Sequence, residues 1–516
     1  MDITAARRRE KRKQRPISAA LALLALLALL ALLAPLSAPA AEGATAYAEH
    51  CASCHGAERL GGMGPALLPG NLKRLKRDEA AAVIRRGRAA SQMPGFGEML
   101  DDARVAALVE FIYTPLDYTP EWSAEHIRAT RRIINDASEL VTAPAYGADP
   151  LNLFVVVELG DHHATILDGD RFEPIHRMKT HFALHGGPKF SPDGRFVYFA
   201  SRDGWISKFD LWGLEYVAEV RAGINTRNLA VSGDGRVVAV ANYLPHTLVL
   251  LDARDLSLRE VIPVTDGAGR TSRVSAVYGA PPRHSFVAAL KDIPEIWELP
   301  VDGDGGSGPV TPRRIVLDDY LDDFFFTPDY RHVMGAARNA RNGQVVDLKR
   351  GVKVSDLGLD GLPHLGSGIT WTLDGRRVMA TPHLRKGEVT VIDTATWETV
   401  GTIETQGPGF FMRSHENSPY AWVDVFFGPH RDAVHVIDKQ TLEIVETLRP
   451  APGKTAAHVE FDRDGRHALL SIWDPAGAVV VYDARTLEEV KRLPMNKPSG
   501  KYNVYNKITL SEGTSH

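Results

Sequence analysis

Cysteine is almost absent from this chain, which has only two in 516 residues, Cys51 and Cys54. A single pair so close together excludes a disulfide framework that joins distant parts of the chain. An excess of positive charge is also lacking, because the formal net charge is -4 at pH 7. Outside the extreme N-terminus the chain has no basic stripe, so we expect no nucleic-acid partner.

Long apolar runs are equally scarce, and the one present spans residues 17–33, directly after the basic segment of residues 7–15. Pro35 interrupts the run before the small residues at positions 38–41. This order is typical of a secretory signal, so we predict that residues 1–41 are a signal peptide and that the protein is periplasmic. An uncleaved membrane anchor is the alternative, because the run is near the minimum length that spans a bilayer.

Both cysteines belong to the sequence Cys51-Ala52-Ser53-Cys54-His55. Two thiols at this spacing add to the vinyl groups of a haem, while the adjacent imidazole reaches the iron from the same helical turn. A disulfide is the alternative use of the pair, and the histidine that follows favours the haem. The motif therefore predicts one covalent haem c with His55 as an axial ligand.

The sixth iron ligand is expected some tens of residues later, where Met93 is followed by Pro94 and Gly95. A methionine in a loop of this kind, ahead of an amphipathic helix predicted over residues 101–113, suits thioether ligation better than core filling. Residues 42–115 thus resemble a class I cytochrome c domain. The iron in such a domain exchanges single electrons and binds no substrate.

The rest of the chain contains a repeat in which a strand ends in an acidic residue and a second strand follows a turn. The acidic positions recur at intervals of 42 to 49 residues, at Asp168, Asp210, Asp252, Glu298, Asp347, Asp393, Asp438 and Asp483. Short strands at this period predict an all-β eight-bladed β-propeller over residues 150–516, after the small all-α cytochrome domain. We expect a strand at residues 502–510 to close the ring beside Leu153. Residues 116–149 form the linker, with a helix predicted over residues 124–140.

Function in a propeller concentrates at the central funnel, in loops that lead into the innermost strands. The polar residues at these positions are His185, Asn225, Arg227, Asp322, Asp323, His364 and His458. A single histidine is more often a hydrogen-bonded structural group. Three at equivalent blade positions favour a shared ligand or catalytic site.

In this order of domains the sequence resembles the cytochrome cd1 group, in which a cytochrome c domain precedes an eight-bladed propeller that holds haem d1. The strings that carry the resemblance lie at residues 62–72, 183–185, 201–204, 209–212, 337–342 and 498–506. The resemblance implies that His185 is the proximal ligand of the haem d1 iron. It also implies that Arg227 pairs with carboxylates of the macrocycle and that Asn225 belongs to the same binding site.

Two departures from the nitrite reductases of this group narrow the resemblance. Those reductases place two histidines over the distal face of haem d1, whereas here one matching position is Asp322 and the other is His364. His458, in the last blade, has no counterpart that we expect in the reductases. The pattern is similar to the sister family of dihydro-haem d1 dehydrogenases, which oxidise a propionate side chain to acrylate. This similarity implies an acid/base pair of His458 and Tyr502.

The same similarity implies partners and leaves alternatives open. His364 is an iron ligand either opposite His185 or in competition with it. Electrons pass from dihydro-haem d1 through the haem c to an external acceptor such as a small cytochrome, and the product haem d1 passes to an apo nitrite reductase. The rival interpretations are a nitrite reductase that forms nitric oxide, a non-catalytic haem d1 carrier, and an unrelated fusion of a cytochrome with a propeller.

Overall fold

The computed structural model describes residues 38–88, 93–301, 309–336, 343–510 and 512–514. Residues 1–37, which hold nearly all of the predicted signal peptide, and the string at residues 337–342 lie outside this part of the chain. Within the described residues, no helix is both long enough and apolar enough to cross a membrane.

The N-terminal module is helical. Its helices are α1 (Ala38–His50), α2 (Ala52–His55), α3 (Arg77–Arg86) and α4 (Asp102–Tyr113). Helix α4 begins where the Asp101 side chain accepts a hydrogen bond from the Arg104 amide at 2.8 Å, so the helix predicted here is confirmed to within one residue. Gly43 lets α1 cross α4 closely, because a Cβ atom there would lie 2.3 Å from the Ala107 carbonyl oxygen.

The linker contains α5 (Ala124–Thr130) and β1 (Arg132–Ile133). The predicted helix over residues 124–140 is therefore wrong beyond Thr130. Strand β1 pairs with a propeller strand instead, with Ile133 opposite Ala218. The open edge of that strand offers backbone partners to this segment, and the β-branched Ile133 favours an extended backbone over a further helical turn.

The described strands of the C-terminal module form eight sheets, one for each blade of a β-propeller. The blades are, in order: blade 1, β33 (Pro498–Asn503), β2 (Leu153–Glu158), β3 (His163–Asp168) and β4 (Pro174–Lys179); blade 2, β5 (Lys189–Phe190), β6 (Phe196–Ala200), β7 (Trp205–Asp210) and β8 (Glu215–Arg221); blade 3, β9 (Asn225–Val231), β10 (Val237–Leu244), β11 (Thr247–Asp252) and β12 (Leu258–Pro263); blade 4, β13 (Val274–Ala280), β14 (Ser285–Leu290), β15 (Glu295–Pro300) and β16 (Arg313–Val316); blade 5, β17 (Asp323–Phe326), β18 (His332–Ala336), β19 (Gln344–Asp347) and β20 (Val352–Asp356); blade 6, β21 (Ile369–Leu373), β22 (Arg376–Pro382), β23 (Glu388–Asp393) and β24 (Thr399–Glu404); blade 7, β25 (Met412–Arg413), β26 (Tyr420–Asp424), β27 (Val434–Asp438) and β28 (Ile444–Leu448); blade 8, β29 (Ala456–Phe461), β30 (His467–Ile472), β31 (Gly477–Asp483) and β32 (Glu489–Met495). Strand β1 adds a fifth, outer strand to blade 2. The predicted eight-bladed fold is confirmed.

The acidic repeat has a local structural cause. In most blades the acidic residue is the last residue of the third strand, and its carboxylate accepts amide hydrogen bonds from the turn that follows. Asp438, for example, accepts from the amides of Gln440 and Thr441 at 2.8 and 2.9 Å. An aspartate at this place fixes the turn that returns the chain to the fourth strand.

The ring closes through strands from the two ends of the propeller. Strand β33 pairs with β2, with Tyr502 opposite Val155, which places Tyr502 in an innermost strand. The predicted strand over residues 502–510 is wrong beyond Asn503, because the Asn503 side chain accepts from the Asn506 amide at 3.2 Å and begins α6 (Val504–Thr509).

Candidate functional site

The cysteine motif is arranged for a covalently bound haem. Cys51, which precedes the short helix α2, and Cys54 within that helix are free thiols, and no disulfide joins them. The buried His55 ring has its Nδ1 atom 2.7 Å from the Pro65 carbonyl oxygen. A proton on Nδ1 makes this hydrogen bond, so the lone pair stays on Nε2, where an iron atom needs it. The residues present therefore fit a haem c.

Met93, the predicted second ligand, lies at the base of a loop in the same module. Its carbonyl oxygen accepts a hydrogen bond from the Arg88 amide at 3.1 Å, and the side chain packs against the core of the helical module. Residues 89–92, between these two, lie outside the described part of the chain. Ligation by Met93 stays a prediction.

His185 and Arg227 meet at the funnel of the propeller. The His185 Nδ1 atom lies 2.8 Å from the Arg227 carbonyl oxygen, and the Arg227 guanidinium lies 2.7 Å from Nδ1 and 3.3 Å from Nε2 of the same ring. Burial, with Arg202 and Arg227 close by, holds the pKa of His185 well below 6.5. The ring is therefore neutral, and with its proton on Nδ1 its lone pair lies on Nε2, 3.3 Å from the Arg227 guanidinium. Arg227 also reaches Asp323 at 3.7 Å, which joins blades 3 and 5.

His364, from blade 6, is held in the same way. Its Nδ1 atom lies 2.5 Å from the Phe410 carbonyl oxygen, and its ring stacks on the Phe410 ring at 4.3 Å. Burial lowers the pKa of His364 below its usual value. His185 and His364 are thus both neutral rings held through Nδ1, which leaves the lone pair on Nε2, the form that ligates iron.

His458 and Tyr502 are brought together by the last blade and the closing strand. Their ring centroids are 5.0 Å apart in an edge-on arrangement. His458 lies in a register break of β29 and has a left-handed backbone, with φ of 54°. A histidine in this region is strained, and such strain persists only where surrounding contacts enforce it. Tyr502 also lies against Gly187, two residues after His185, so the closing strand reaches the loop of blade 2.

Positive charge surrounds these histidines. Burial lowers the pKa of Lys189 to about 8 and that of Arg202 to about 9, and the nearby Arg227 guanidinium contributes to both shifts. Among the described residues, Arg202 Nε and Arg413 Nε are buried without a hydrogen-bond partner. Buried cations with unused donors are the groups that bind the carboxylates of an anionic ligand.

Asn225 lies where the two modules touch. Its side-chain amide donates to the Arg202 carbonyl oxygen at 2.9 Å and to the Gly62 carbonyl oxygen of the cytochrome module at 3.4 Å. Its Oδ1 atom is buried without a hydrogen-bond partner. The structure therefore brings Asn225 to the module boundary, behind Arg202, and its predicted contact with the cofactor is untested.

Asp322 lies at the same boundary. Its carboxylate is 2.5 Å from Lys291 Nζ and 3.5 Å from the guanidinium of Arg74, a residue of the cytochrome module. Arg74 also donates to the Lys291 carbonyl oxygen at 2.5 Å and packs on the Tyr320 ring. Asp322 is thus part of an ion-pair cluster that connects the modules.

We expect Asp322→Asn to loosen the docking of the two modules by about 1 kcal/mol, because it leaves Lys291 and Arg74 facing each other without their counter-ion. Proteolytic cleavage in the segment between α4 and α5 should become roughly fivefold faster. Asp318→Asn is the matched control, since Asp318 pairs with Lys353 on the exposed side of blade 5. Equal cleavage rates in the two variants would contradict this role of Asp322.

Three residues at this site were missed from the sequence. Asp424 is buried and bonded to the backbone of His458, and the buried Lys501 donates to the His458 carbonyl oxygen and to Ser471 Oγ. Phe411 packs on the His458 ring at 4.6 Å. Nothing in the sequence of its strand, Pro498–Asn503, distinguishes Lys501 from an exposed lysine. In the sequence, Asp424 looks like another of the acidic residues that end a strand.

Comparison with known proteins identifies the fold family. Residues 148–507 match the family model described as the cytochrome D1 heme domain. The chain belongs to this family. Residues 38–112 match the family model of cbb3-type cytochrome c oxidase subunit III, which agrees with a cytochrome c module at the N-terminus.

Individual relatives extend over both modules. The chain is 62% identical over 474 residues to a dihydro-heme d1 dehydrogenase of Pseudomonas aeruginosa, which covers 92% of this chain and 96% of that protein. It is 32% identical over 364 residues to the protein NirF of the same organism, covering 68% of this chain and 90% of that one. A solved structure, dihydro-heme d1 dehydrogenase NirN in complex with DHE, superposes with a TM-score of 0.77 at 62% identity, over 90% of this chain and all of that one.

Proposed function

We propose that this protein is a dihydro-haem d1 dehydrogenase, an oxidoreductase of haem d1 biosynthesis. The observation that carries the proposal is the pairing of His458 with Tyr502 at 5.0 Å inside a funnel lined with cations. The full-length similarity to a dihydro-heme d1 dehydrogenase supports it. A non-catalytic carrier of haem d1 would need the cations to bind the macrocycle, but it would not need the acid/base pair.

The reaction converts a propionate side chain of dihydro-haem d1 to an acrylate. One C–H bond breaks at each of two adjacent carbons and a C=C bond forms between them, so two protons and two electrons leave. When bound at Cys51, Cys54 and His55, the haem c supplies the one-electron path by which these electrons depart. With one such haem, two successive transfers to an external acceptor complete each turnover.

His458 is the proposed proton acceptor. Burial, together with the nearby Lys501, Arg413 and Lys507, holds the pKa of His458 well below 6.5. The ring is therefore neutral at pH 7 and has a lone pair that can take a proton from carbon. Phe411 and Tyr502 flank the ring and restrict water around it.

Tyr502 is proposed to act as a protonated donor. Burial raises the pKa of its phenol to about 12. A phenol in this form donates a hydrogen bond to the carboxylate of the reacting side chain, and thereby stabilises the negative charge that develops when an adjacent C–H bond breaks.

The other site residues are proposed to hold the macrocycle. Arg227 binds its carboxylates, with Asn225 supporting that side of the funnel from the module boundary. His185 is assigned to the proximal face of the iron, and His364 to the opposite face or to the same position in another state. The backbone hydrogen bonds at their Nδ1 atoms, which leave the lone pairs on Nε2, support both assignments.

The location and partners follow from the proposed substrate. Residues 1–41 direct export to the periplasm, residues 42–115 form the cytochrome domain, residues 116–149 the linker, and residues 150–516 the haem d1-binding propeller. Electrons pass to a small cytochrome or a similar acceptor. The product is handed to an apo nitrite reductase, because a free cofactor has no other use there.

We expect Tyr502→Phe to lower the dehydrogenation rate about 10²-fold. The factor should be the same at pH 7 and at pH 9. Since the pKa of Tyr502 is about 12, the wild-type phenol keeps its proton over this whole range. Anaerobic single-turnover rates at the two pH values make the comparison. If the ratio of the wild-type rate to the Tyr502→Phe rate falls as the pH rises, the wild-type phenol loses its proton near pH 9, contrary to the proposed role.

Nitrite discriminates the proposal from the reductase alternative. The holoprotein loaded with haem d1 is supplied with nitrite and a reduced electron donor. Because Asp322 replaces a histidine that would deliver protons to bound nitrite, we expect no formation of nitric oxide. Catalytic formation of nitric oxide would overturn the proposal in favour of a reductase.

A further inference from the structure

A buried carboxylate behind the site connects two of its histidines. Asp424 ends strand β26 of blade 7 and is only 1% exposed. Its Oδ1 atom accepts hydrogen bonds from the amides of Phe410 and Phe411 at 2.8 and 3.0 Å. Its Oδ2 atom accepts from the His458 amide in blade 8 at 3.1 Å.

The two phenylalanines extend this connection to the two imidazole rings. The rings of Phe410 and His364 stack with their centroids 4.3 Å apart, and the Phe410 carbonyl oxygen accepts a hydrogen bond from His364 Nδ1 at 2.5 Å. Phe411 packs on the His458 ring at 4.6 Å. Phe410 thus supports His364, while Phe411 supports His458 and also lies edge-on to His364 at 6.2 Å. The backbone of both phenylalanines is tied to the same carboxylate.

The contact with His458 also accounts for its unusual backbone. The left-handed φ of 54° turns the His458 amide away from the strand ladder, where the register between β29 and β30 is broken. Asp424 satisfies that amide, and the Lys501 ammonium satisfies the His458 carbonyl oxygen from the other side. Without these partners the strained conformation would leave buried polar groups unpaired.

We propose that Asp424 is a positioning residue that sets the orientation of both His458 and His364 toward the tetrapyrrole. This inference rests on the proposed function of the site, and it adds a residue that touches neither substrate nor iron. The acid/base group and the iron ligand are coupled, because a shift of the loop at Phe410 and Phe411 displaces both rings.

Two variants separate the two arms of this connection. Asp424→Asn keeps one oxygen for the amides of Phe410 and Phe411 but turns an NH₂ group toward the His458 amide, so it disturbs His458 alone. Asp424→Ala removes both acceptors. The controls are the same changes at Asp438, which also accepts two amide hydrogen bonds in blade 7 but at the opposite end of the blade.

The measurements are the anaerobic single-turnover rate with dihydro-haem d1 and the absorption spectrum of the bound macrocycle. Asp424→Asn should lower the rate at least tenfold and leave the wild-type spectrum, because misplacement by about 1 Å costs up to 10²-fold. Asp424→Ala should lower the rate further and give the spectrum of His364→Ala. The Asp438 variants should stay within twofold of wild type.

The inference is overturned if Asp424→Asn retains more than half of the wild-type rate, or if the Asp424→Ala spectrum differs from that of His364→Ala. Equal losses in the Asp424 and Asp438 variants would overturn it too, since they indicate a general loss of folding. If the wild-type protein binds the macrocycle without oxidising it, the proposed function fails, while the spectral comparison still decides whether Asp424 positions His364.

Discussion

Replacing His458 by alanine is expected to lower the rate of dehydrogenation by about 10²- to 10⁴-fold, the usual contribution of a positioned proton acceptor. The side chain is neutral at pH 7 because burial depresses its pKa, and its ring faces Tyr502 at 5.0 Å. Affinity for dihydro-haem d1 should change little, because the cations that bind the carboxylates remain. Single-turnover mixing under anaerobic conditions measures the rate, and absorption titration measures the affinity.

The matched control for this variant is His435→Ala in blade 7. His435 is also buried, with its pKa lowered to about 4 by burial, but it bonds to Thr447 on an outer strand. If the His435→Ala variant folds, it should dehydrogenate at the wild-type rate. A His458→Ala protein that dehydrogenates within threefold of wild type would remove His458 from the chemistry.

Replacing both Cys51 and Cys54 by alanine is expected to abolish covalent haem and, with it, all electron transfer from the macrocycle to the cytochrome module. Both thiols are free, with Cys51 at the start of α2 and Cys54 within it, beside the buried His55. The core around Tyr47 and Leu108 should also lose stability without the haem, because Cys51 and the predicted ligand Met93 pack against that core. Haem that stays attached to the denatured polypeptide is the readout.

Cys54→Ala alone serves as the control, since one thioether bond is expected to keep haem on the denatured chain. A double variant that still carries covalent haem would show that this motif is not the attachment site. A double variant without haem that oxidises the macrocycle at the wild-type rate would instead show that electrons leave by another route.

The eight-bladed fold was predictable from the sequence because its signal is local and repeated. In seven of the eight blades the acidic residue of the repeat ends the third strand and fixes the turn that follows, so one local pattern recurs around the ring. The linker was mispredicted because its structure depends on a distant edge. No pattern near Ile133 in the sequence indicates that the edge of β8 is open. The pairing with that edge makes the chain after Thr130 a strand.

The candidate site was predictable where residue types carry the chemistry, as in the cysteine motif and the three funnel histidines. Its supporting contacts were not. Asp322 finds its partner Arg74 at a separation of 248 residues, and the role of Asp424 depends on amides from two blades. Neither partner follows from spacing, because both require the ring to be closed and the cytochrome module to be docked.

The most direct test of this account is anaerobic incubation of the holoprotein with dihydro-haem d1 and an oxidised electron acceptor, while the mass of the macrocycle and the absorption of the haem c are followed together. The account predicts loss of two hydrogens from the macrocycle, with reduction of the haem c and transfer of two electrons to the acceptor for each product. Tight binding with no change in mass would contradict it, and would leave the protein a carrier of the macrocycle or a reductase.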